Sequence, residues 1–454
     1  MVSQDKLYGY EGKVRKILED IGVSIGDRVR IIKPDGSVFE GILMPRYALS
    51  SKPIIVLKLD NGYNVGIRVT DGTKIVKVEK PKLKVSYEPE YTMPKPSRIL
   101  SDRRVMIIGT GGTIASKIEY ETGAVKPALS AEELLEAVPE LAEIASIDSM
   151  VLFNILSENM TMSEWERIVD TVADAIKKGY DGVIVAHGTD TMAYTAAALS
   201  FALQGLPVPV VLVGSQRSSD RPSSDAAMNL ISAALVASRA DFAEVVVVMH
   251  GETGDTYSLA HRATKVRKMH TSRRDAFQSI NSLPLAKIYP FEKKIELILE
   301  PLRRRGEQEL RVVNGFERKV ALIKFYPGMD PSLISFLADK GYKGIVLEGT
   351  GLGHVGEHLI PVLKEVIEKG VVVVMTSQCL FGRVNMNVYT TGRKLLSIGV
   401  VPGSDMLPEV AFVKLSWLLA HERDIDNVKR LMLHNFVGEI NPRHTVELYP
   451  RWPH

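Results

Sequence analysis

The stretch Val105-Met-Ile-Ile-Gly-Thr-Gly-Gly-Thr-Ile-Ala-Ser116 decides the fold of this 454-residue chain. It opens with four apolar residues, a run that is too short for a helix and typical of a buried strand. Two adjacent glycines then allow a sharp turn and a close approach to a ligand. Thr113 follows beyond the carboxyl end of the strand, where open α/β sheets bind their ligands. A dinucleotide loop, G-x-G-x-x-G, would begin at Gly109 and fails at Ile114.

A second stretch repeats this arrangement. Residues 181–186 read as another buried strand, which leads into His187-Gly-Thr-Asp-Thr-Met192 and then a helix over 193–204. Both strands are thus followed by a glycine and a threonine, and the second adds a carboxylate. Neighbouring parallel strands end at the same edge of a sheet, so we expect Thr113 and Thr189 to lie close together.

These two stretches carry a resemblance to a known family. Thr110-Gly-Gly-Thr-Ile-Ala115 and His187-Gly-Thr-Asp-Thr-Met192, in this order and separation, resemble the signature motifs of the bacterial-type L-asparaginase/glutaminase family. The resemblance spans residues 100–435. It implies an α/β core of two domains and the hydrolysis of an amide with release of ammonia.

The family resemblance assigns catalytic roles residue by residue. Amide hydrolysis needs a nucleophile, a base and donors for the developing oxyanion. The resemblance implies Thr113 as nucleophile, Thr189 and Asp190 as the second threonine and its carboxylate, and Tyr120 as an activating tyrosine on a loop. Lys265 matches the family's lysine base, since a buried lysine near other cations can lose its proton. The alternatives are a helix cap for Asp190, a surface aromatic for Tyr120 and an ordinary cation for Lys265.

A substrate-binding set follows from the same resemblance. Ser157 matches the segment that holds the substrate's α-carboxylate and α-amine, whereas Glu158 departs from the glutamine often found there. The predicted substrate-binding residues are Gly112, Ser157, Glu158, Gly188 and Asp190. We predict no metal site, because His187 has no second His or Cys at a ligand spacing.

Composition narrows the class of protein. Apolar residues make up 45% and charged residues 24%, with a net charge of +3 that requires neither nucleic acid nor an anionic membrane. A single cysteine, Cys379, excludes an intramolecular disulfide framework, and we expect it to be a small core residue. The chain shows no apolar signal segment and no run long enough to span a membrane. We therefore predict a cytoplasmic protein.

The N-terminal part has a different texture. Short alternating segments separated by Pro-Asp-Gly and Asp-Asn-Gly turns predict a small antiparallel β-barrel. The predicted strands are 26–33, 38–44, 54–59 and 64–69. The Lys- and Pro-rich residues 76–98 read as an extended linker, with RNA or a partner as alternative contacts.

From residue 105 onward strands and helices alternate, which predicts an α/β fold with parallel sheets. Ser163 and Glu166 read as a capping box for the helix that Gly179 ends. The predicted divisions are a barrel at 1–75, a linker at 76–100, an active-site α/β domain at 101–300, a connector at 301–318, a second α/β domain at 319–438, and a tail at 439–454 packed on a neighbour.

The predicted barrel, the asparaginase-like core and an N-terminal segment without a signal sequence together resemble the glutaminase component of the archaeal glutamyl-tRNA(Gln) amidotransferases. In that family this component releases ammonia from L-glutamine, with L-asparagine as an open second substrate. A partner protein, GatE, binds tRNA(Gln) and uses ATP and Mg²⁺, so no cofactor is expected in this chain. We see no P-loop or kinase signature here, which agrees with that division. The resemblance also implies a homodimer through the core, within a heterotetramer.

Two other interpretations remain. One is a cytosolic free L-asparaginase with an accessory N-terminal domain, which would turn over free asparagine without a partner. The other is a non-catalytic binding or scaffold protein on the same fold. Retention of Thr113, Thr189, Asp190 and Lys265 argues against the scaffold.

Overall fold

The computed structural model describes most of the chain. The described residues are 7, 9–45, 53–60, 64–78, 102–111, 134–135, 137–218 and 223–449, with the backbone of 116–119 and 124–127. Gly112, Thr113, Tyr120, most of the predicted linker and the last five residues lie outside them. The chain divides into two compact units, one formed by residues 1–97 with 115–128 and 217–224, the other by the remainder.

The first unit contains an antiparallel sheet. Helix α1 spans Gly12–Asp20. The strands are β1 Arg28–Ile32, β2 Val38–Leu43, β3 Ile54–Lys58, β4 Asn64–Arg68 and β5 Lys74–Lys77. Their order is β4-β3-β2-β1-β5, and all the pairs are antiparallel, as predicted. Strand β5 includes Val76 and Lys77, the first two residues of the predicted linker, which lie opposite Arg30 and Val29 of β1.

The second unit is built on an eight-stranded sheet. Its strands are β6 Arg104–Gly109, β9 Ser146–Val151, β10 Gly182–Ala186, β12 Val210–Val213, β13 Val245–His250, β14 Ser258–Arg262, β17 Ala286–Tyr289 and β18 Lys294–Leu297. Five of them run parallel in the order β13-β12-β10-β6-β9, and β14, β17 and β18 extend the β13 side as antiparallel strands. All residues of β10 are buried, as expected for a parallel strand that is covered on both faces.

The strand order locates the binding crevice. Numbered by their sequence among the parallel strands, the five occupy the order 2-1-3-4-5, which is doubly wound. In such sheets the order reverses between strands 1 and 3, and ligands bind beyond their carboxyl ends. Those two strands are β6 and β10, the strands that precede the two signature stretches.

Helices and short strands accompany this sheet. The helices of the first half are α2 Met162–Lys177, α3 Met192–Ala202 and α4 Ala226–Arg239. The short strands are β11 Leu203–Gln204, β15 Val266–Lys268, β16 Phe277–Ser279 and β19 Arg311–Val312, and a separate hairpin in the first unit pairs β7 Ser116–Glu119 with β8 Ala124–Pro127. The predicted capping box of α2 is wrong in its residues: Thr161 and Glu164 form it, while Glu166 binds Arg318 instead.

The last third forms a parallel sheet of its own. Its strands are β20 Val320–Lys324, β21 Gly344–Gly349, β22 Val372–Ser377 and β23 Val401–Pro402, and they lie in this order. Its helices are α5 Ser332–Asp339, α6 Ile360–Glu368, α7 Thr390–Ser397, α8 Pro408–His421 and α9 Ile425–Met432. No helix in the described part of the chain is long and apolar enough to cross a membrane.

The C-terminal tail makes contacts within its own chain. Glu439 is fully buried and pairs with Lys414 at 2.7 Å. Asn441 donates a backbone hydrogen bond to the Asp405 carboxylate at 3.0 Å. These residues of the predicted tail therefore pack on the second α/β layer, which residues 319–438 of the same chain form.

Candidate active site

The ends of β6 and β10 are tied together directly. Gly109 lies opposite Ala186 in the parallel pair. The next residue, Thr110, donates from both its backbone N–H and its hydroxyl to the Ala186 carbonyl, each at 3.0 Å. The two signature loops therefore leave the same edge of the sheet side by side, as predicted.

Two glycines let the loops approach their neighbours. Gly111 has φ of +116°, and a Cβ there would lie 2.1 Å from the Ile155 carbonyl oxygen. A Cβ on Gly188 would lie 2.8 Å from the Ser157 Cβ. Only glycine fits either position without a shift of the segment around Ser157. The segment predicted to grip substrate is thus held against both loops.

Thr189 and Asp190 share a lysine as their hydrogen-bond partner. Lys268 donates from Nζ to the Thr189 hydroxyl at 2.9 Å and to the Asp190 carboxylate at 2.7 Å. The Lys268 side chain is 15% exposed, whereas that of Asp190 is 66% exposed and open to a ligand. A hydroxyl, an amine and a carboxylate therefore meet at the predicted crevice.

The structure brings Lys268, rather than Lys265, to this cluster. Lys265 lies in the 3-10 turn Ala263–Lys265, is 1% exposed and donates to the Asp405 carboxylate at 2.7 Å. Strand β15 begins immediately after this turn and carries Lys268 at its end. We therefore correct the predicted set, since the amine that contacts Thr189 and Asp190 belongs to a lysine three residues further on.

The alternative role of Asp190 as a helix cap is not what the structure shows. Helix α3 begins at Met192, and the preceding residue Thr191 makes no side-chain capping bond. The Thr191 hydroxyl donates instead to the Ser157 carbonyl at 2.7 Å. The Asp190 carboxylate pairs with Lys268 and lies one residue before the helix cap position.

The other predicted residues are placed as follows. Ser157 is buried, and Glu158 is exposed in the 3-10 turn Ser157–Asn159. Gly112, Thr113 and Tyr120 lie outside the described residues, so their roles stay predictions. Cys379 is exposed, which contradicts the expected core position.

His187 is a buried hydrogen-bonded histidine. Its Nδ1 lies 2.7 Å from the Gly188 carbonyl, which can only accept, so Nδ1 carries the proton. Its Nε2 then accepts from the Thr195 hydroxyl at 2.9 Å. Burial lowers the pKa of His187 to about 4, so the ring is neutral at physiological pH. The described residues contain no group of three or more metal-ligating side chains placed to hold an ion.

Acid should destabilise the fold through this histidine. The pKa is about 4 in the folded chain against an ordinary value of 6.5, so the unfolded chain binds the proton first. Stability should therefore fall by about 1.4 kcal/mol per pH unit from this group as pH drops from 6.5 to 4. Urea unfolding of wild type and His187→Gln at pH 7 and pH 5 measures this contribution, with exposed His270→Gln as control. Equal losses in wild type and His187→Gln would contradict it.

Gly188→Ala should weaken substrate use. The added Cβ would lie 2.9 Å from the Ser157 hydroxyl oxygen and would force the Ser157 segment away from Thr189 and Asp190. We expect kcat/KM for the amide substrate to fall by about tenfold or more, since small displacements of positioning groups are costly. Gly109→Ala is the matched control, because its Cβ would meet nothing closer than 3.6 Å. Equal rates for the two variants would mean that the close approach is unimportant.

Comparisons with known proteins agree with this geometry. Residues 104–303 match the family model "Asparaginase, N-terminal", and residues 319–432 match "Glutaminase/Asparaginase C-terminal domain". The L-asparaginase from Thermococcus kodakarensis superposes with a TM-score of 0.68 at 34% identity, covering 75% of this chain and 100% of that chain. L-asparaginase I from Vibrio cholerae gives 0.66 at 32%, with the same coverage. The fold and site thus define the asparaginase class of amidohydrolases.

The N-terminal unit and similar curated proteins identify a narrower family within the asparaginase class. Residues 23–83 match the "GatD N-terminal domain". The glutamyl-tRNA(Gln) amidotransferase D subunit of Pyrococcus furiosus is 57% identical over 95% of this chain and 98% of its own length. That of Thermococcus kodakarensis is 55% identical over 95% and 97%. The chain belongs to the family of glutamyl-tRNA(Gln) amidotransferase D subunits, and is an amidotransferase subunit with an asparaginase-like core.

Proposed function

We propose that this chain is a glutaminase that hydrolyses the side-chain amide of L-glutamine and supplies the ammonia to its partner GatE. The partner would use ATP and Mg²⁺ to convert Glu-tRNA(Gln) into Gln-tRNA(Gln). The observation that carries the proposal is the contact of Lys268 with both Thr189 and Asp190 at the switch point of the sheet. The names of the curated relatives support the choice of this reaction over free asparagine hydrolysis.

The proposed chemistry begins with an attack by threonine. In this scheme the Thr113 oxygen forms a bond to the amide carbon, the C–N bond breaks and ammonia leaves after taking up a proton. Water then hydrolyses the acyl ester, which frees glutamate and Thr113. Lys268 would accept the hydroxyl proton through Thr189 and return it to the leaving ammonia, because a threonine needs a base to become a useful nucleophile. Tyr120 is proposed to relay this proton from its loop.

Substrate would be held by the same cluster. The exposed Asp190 carboxylate is suited to the substrate's α-ammonium, and its partner Lys268 keeps it oriented. Gly112, Ser157, Glu158 and Gly188 complete the proposed binding set. L-Asparagine differs by one methylene, so this pocket alone would discriminate weakly and asparagine remains a proposed second substrate.

The partners, cofactors and oligomeric state of the assembly are proposed from the resemblance to the amidotransferase family. ATP and Mg²⁺ are assigned to GatE, tRNA(Gln) mainly to that partner, and no cofactor to this chain. A homodimer through the asparaginase-like core and a cytoplasmic location are proposed as well. The Lys-rich linker is a candidate contact for the partner or the tRNA.

Ammonia release under three conditions tests the function. The conditions are the chain alone, the chain with GatE, and both with Glu-tRNA(Gln), ATP and Mg²⁺, each with L-glutamine or L-asparagine. We expect glutamine turnover to rise by about tenfold or more in the complete mixture, because a partner and acceptor that bind the active state more tightly shift the chain toward that state. Robust asparagine turnover by the chain alone, without glutamine turnover, would favour the free asparaginase. Silence in every mixture would favour the scaffold protein.

A further inference from the structure

The strand that carries Lys268 is held from the far half of the chain. Lys265, just before β15, donates to Asp405, which lies 140 residues further on. Arg267, within β15, lies 3.6 Å from the Glu409 carboxylate at the start of α8. Asp405 lies in the turn before α8 and Glu409 in the first turn of that helix, and both contact the segment that contains β15.

Strand geometry separates these contacts from the active site. Successive side chains of a strand point to opposite faces, so Arg267 and Lys268 lie on opposite faces of β15. Arg267 faces Glu409, and Lys268 faces Thr189 and Asp190. Strand β15 is also paired with β16. A shift of β15 relative to Asp405 and Glu409 would therefore move the Lys268 amine relative to Thr189.

Several donors hold the buried Asp405 carboxylate in place. It is fully buried and accepts from the Lys265 amine, from the Asn441 backbone at 3.0 Å and from the Asn441 side chain at 2.8 Å. Burial by itself raises the pKa of the Asp405 carboxyl, but Lys265 and Asn441 outweigh it, and the pKa lies below its usual value. Burial also lowers the pKa of the Lys265 amine. The 2.7 Å contact and the two Asn441 donors around the same carboxylate nevertheless favour an ion pair.

We propose that Asp405, acting through Lys265, is a positioning residue for amide hydrolysis: the pair sets the place of β15 and so of the Lys268 amine beside Thr189. The inference rests on the proposed function, because it assigns Lys268 the role of base. Neither Asp405 nor Lys265 needs to touch substrate. Their effect should appear in the chemical step, which depends on the distance between amine and hydroxyl.

The test removes the charges without emptying the site. Lys265→Met/Asp405→Asn, in the full chain assembled with GatE and the complete reaction mixture, replaces the ion pair by a neutral pair of similar shape. We expect kcat for glutamine hydrolysis to fall by about tenfold or more while KM stays within about twofold. Lys343→Met/Glu317→Gln is the control, since this pair joins the connector to the second layer and has no described contact with β15.

A second variant covers the case in which the double variant fails to fold. Arg267 is 38% exposed in its side chain, and Arg267→Met/Glu409→Gln leaves no buried charge unpaired. This variant should therefore fold and should still lower kcat several-fold with little change in KM. Wild-type kcat in a folded Lys265→Met/Asp405→Asn variant, or in Arg267→Met/Glu409→Gln, would overturn the positioning role. If Lys268→Met itself kept full activity, the proposed function would fail instead, which distinguishes the two outcomes.

Discussion

Lys268→Met should reduce ammonia release from L-glutamine by about a thousandfold, within the range seen when a general base is removed. The substitution keeps the length of the side chain but removes the amine that contacts Thr189 and Asp190. Because the Lys268 side chain is partly exposed and lies at the edge of the site, the fold should survive. Steady-state ammonia release and a thermal melt of the same preparation measure both effects.

Lys268→Arg sharpens the same prediction. Arginine keeps the charge and can still pair with Asp190, yet it cannot be deprotonated in proteins. It should therefore be as inactive as Lys268→Met. Lys294→Met, an exposed lysine on an antiparallel edge strand, is the control that should keep full activity. An active Lys268→Arg would show that this lysine only places a positive charge near Asp190.

Lys265→Met should give the largest loss of stability among these lysine substitutions. It leaves the Asp405 carboxylate buried without its cation, and breaking a buried pair in this way costs about 3–5 kcal/mol. The same substitution at exposed Lys294 should change the free energy of unfolding by about 0.5 kcal/mol or less. Urea denaturation of the two variants makes the comparison.

The double variant Lys265→Met/Asp405→Asn should recover much of that loss, because neither charge is then left unpaired. If Lys265→Met were as stable as wild type but inactive, Lys265 would be the base that its sequence motif predicts. The two lysines are thus separable by the size of each effect. Lys268→Met should lower activity by about a thousandfold and leave the fold intact. Lys265→Met should mainly lower stability, with only the smaller fall in kcat expected of a positioning residue.

The placement of the two signature loops could be predicted from the sequence. Apolar runs followed directly by glycine and threonine fix a buried strand and a tight turn, and these are local properties. The pairing of Gly109 with Ala186 then brings the loops together at the switch point. Ser157 could be placed as well, because its segment also follows the end of a strand.

The identity of the site lysine could not be predicted in the same way. Lys265, Arg267 and Lys268 are close in sequence, and which of them faces the crevice depends on the register of a three-residue strand. The strand pairs with β16, and Lys265 and Arg267 contact Asp405 and Glu409, which lie in a distant part of the chain. The alternation of side chains along β15 places Arg267 and Lys268 on opposite faces. It identifies Lys268 as the site lysine only once the structure shows which face Arg267 occupies.

Other differences have the same physical origin. The strands β17 and β18 are short and partly exposed, so their sequences lack the continuous apolar run of the parallel strands. The exposure of Cys379 reflects its place just after β22, beyond the buried strand. Tertiary pairing decides these features, and local pattern does not reveal it.

The most direct test of the central claim compares two nitrogen donors for Gln-tRNA(Gln) formation by the assembled complex. With Lys268→Met, we expect product formation from L-glutamine to be lost, while product formation from added ammonium chloride continues at the wild-type rate. This result would place Lys268 in ammonia release and leave the partner's chemistry intact. Wild-type formation from L-glutamine by the variant, or loss of the ammonium-dependent reaction in a folded complex, would contradict the account.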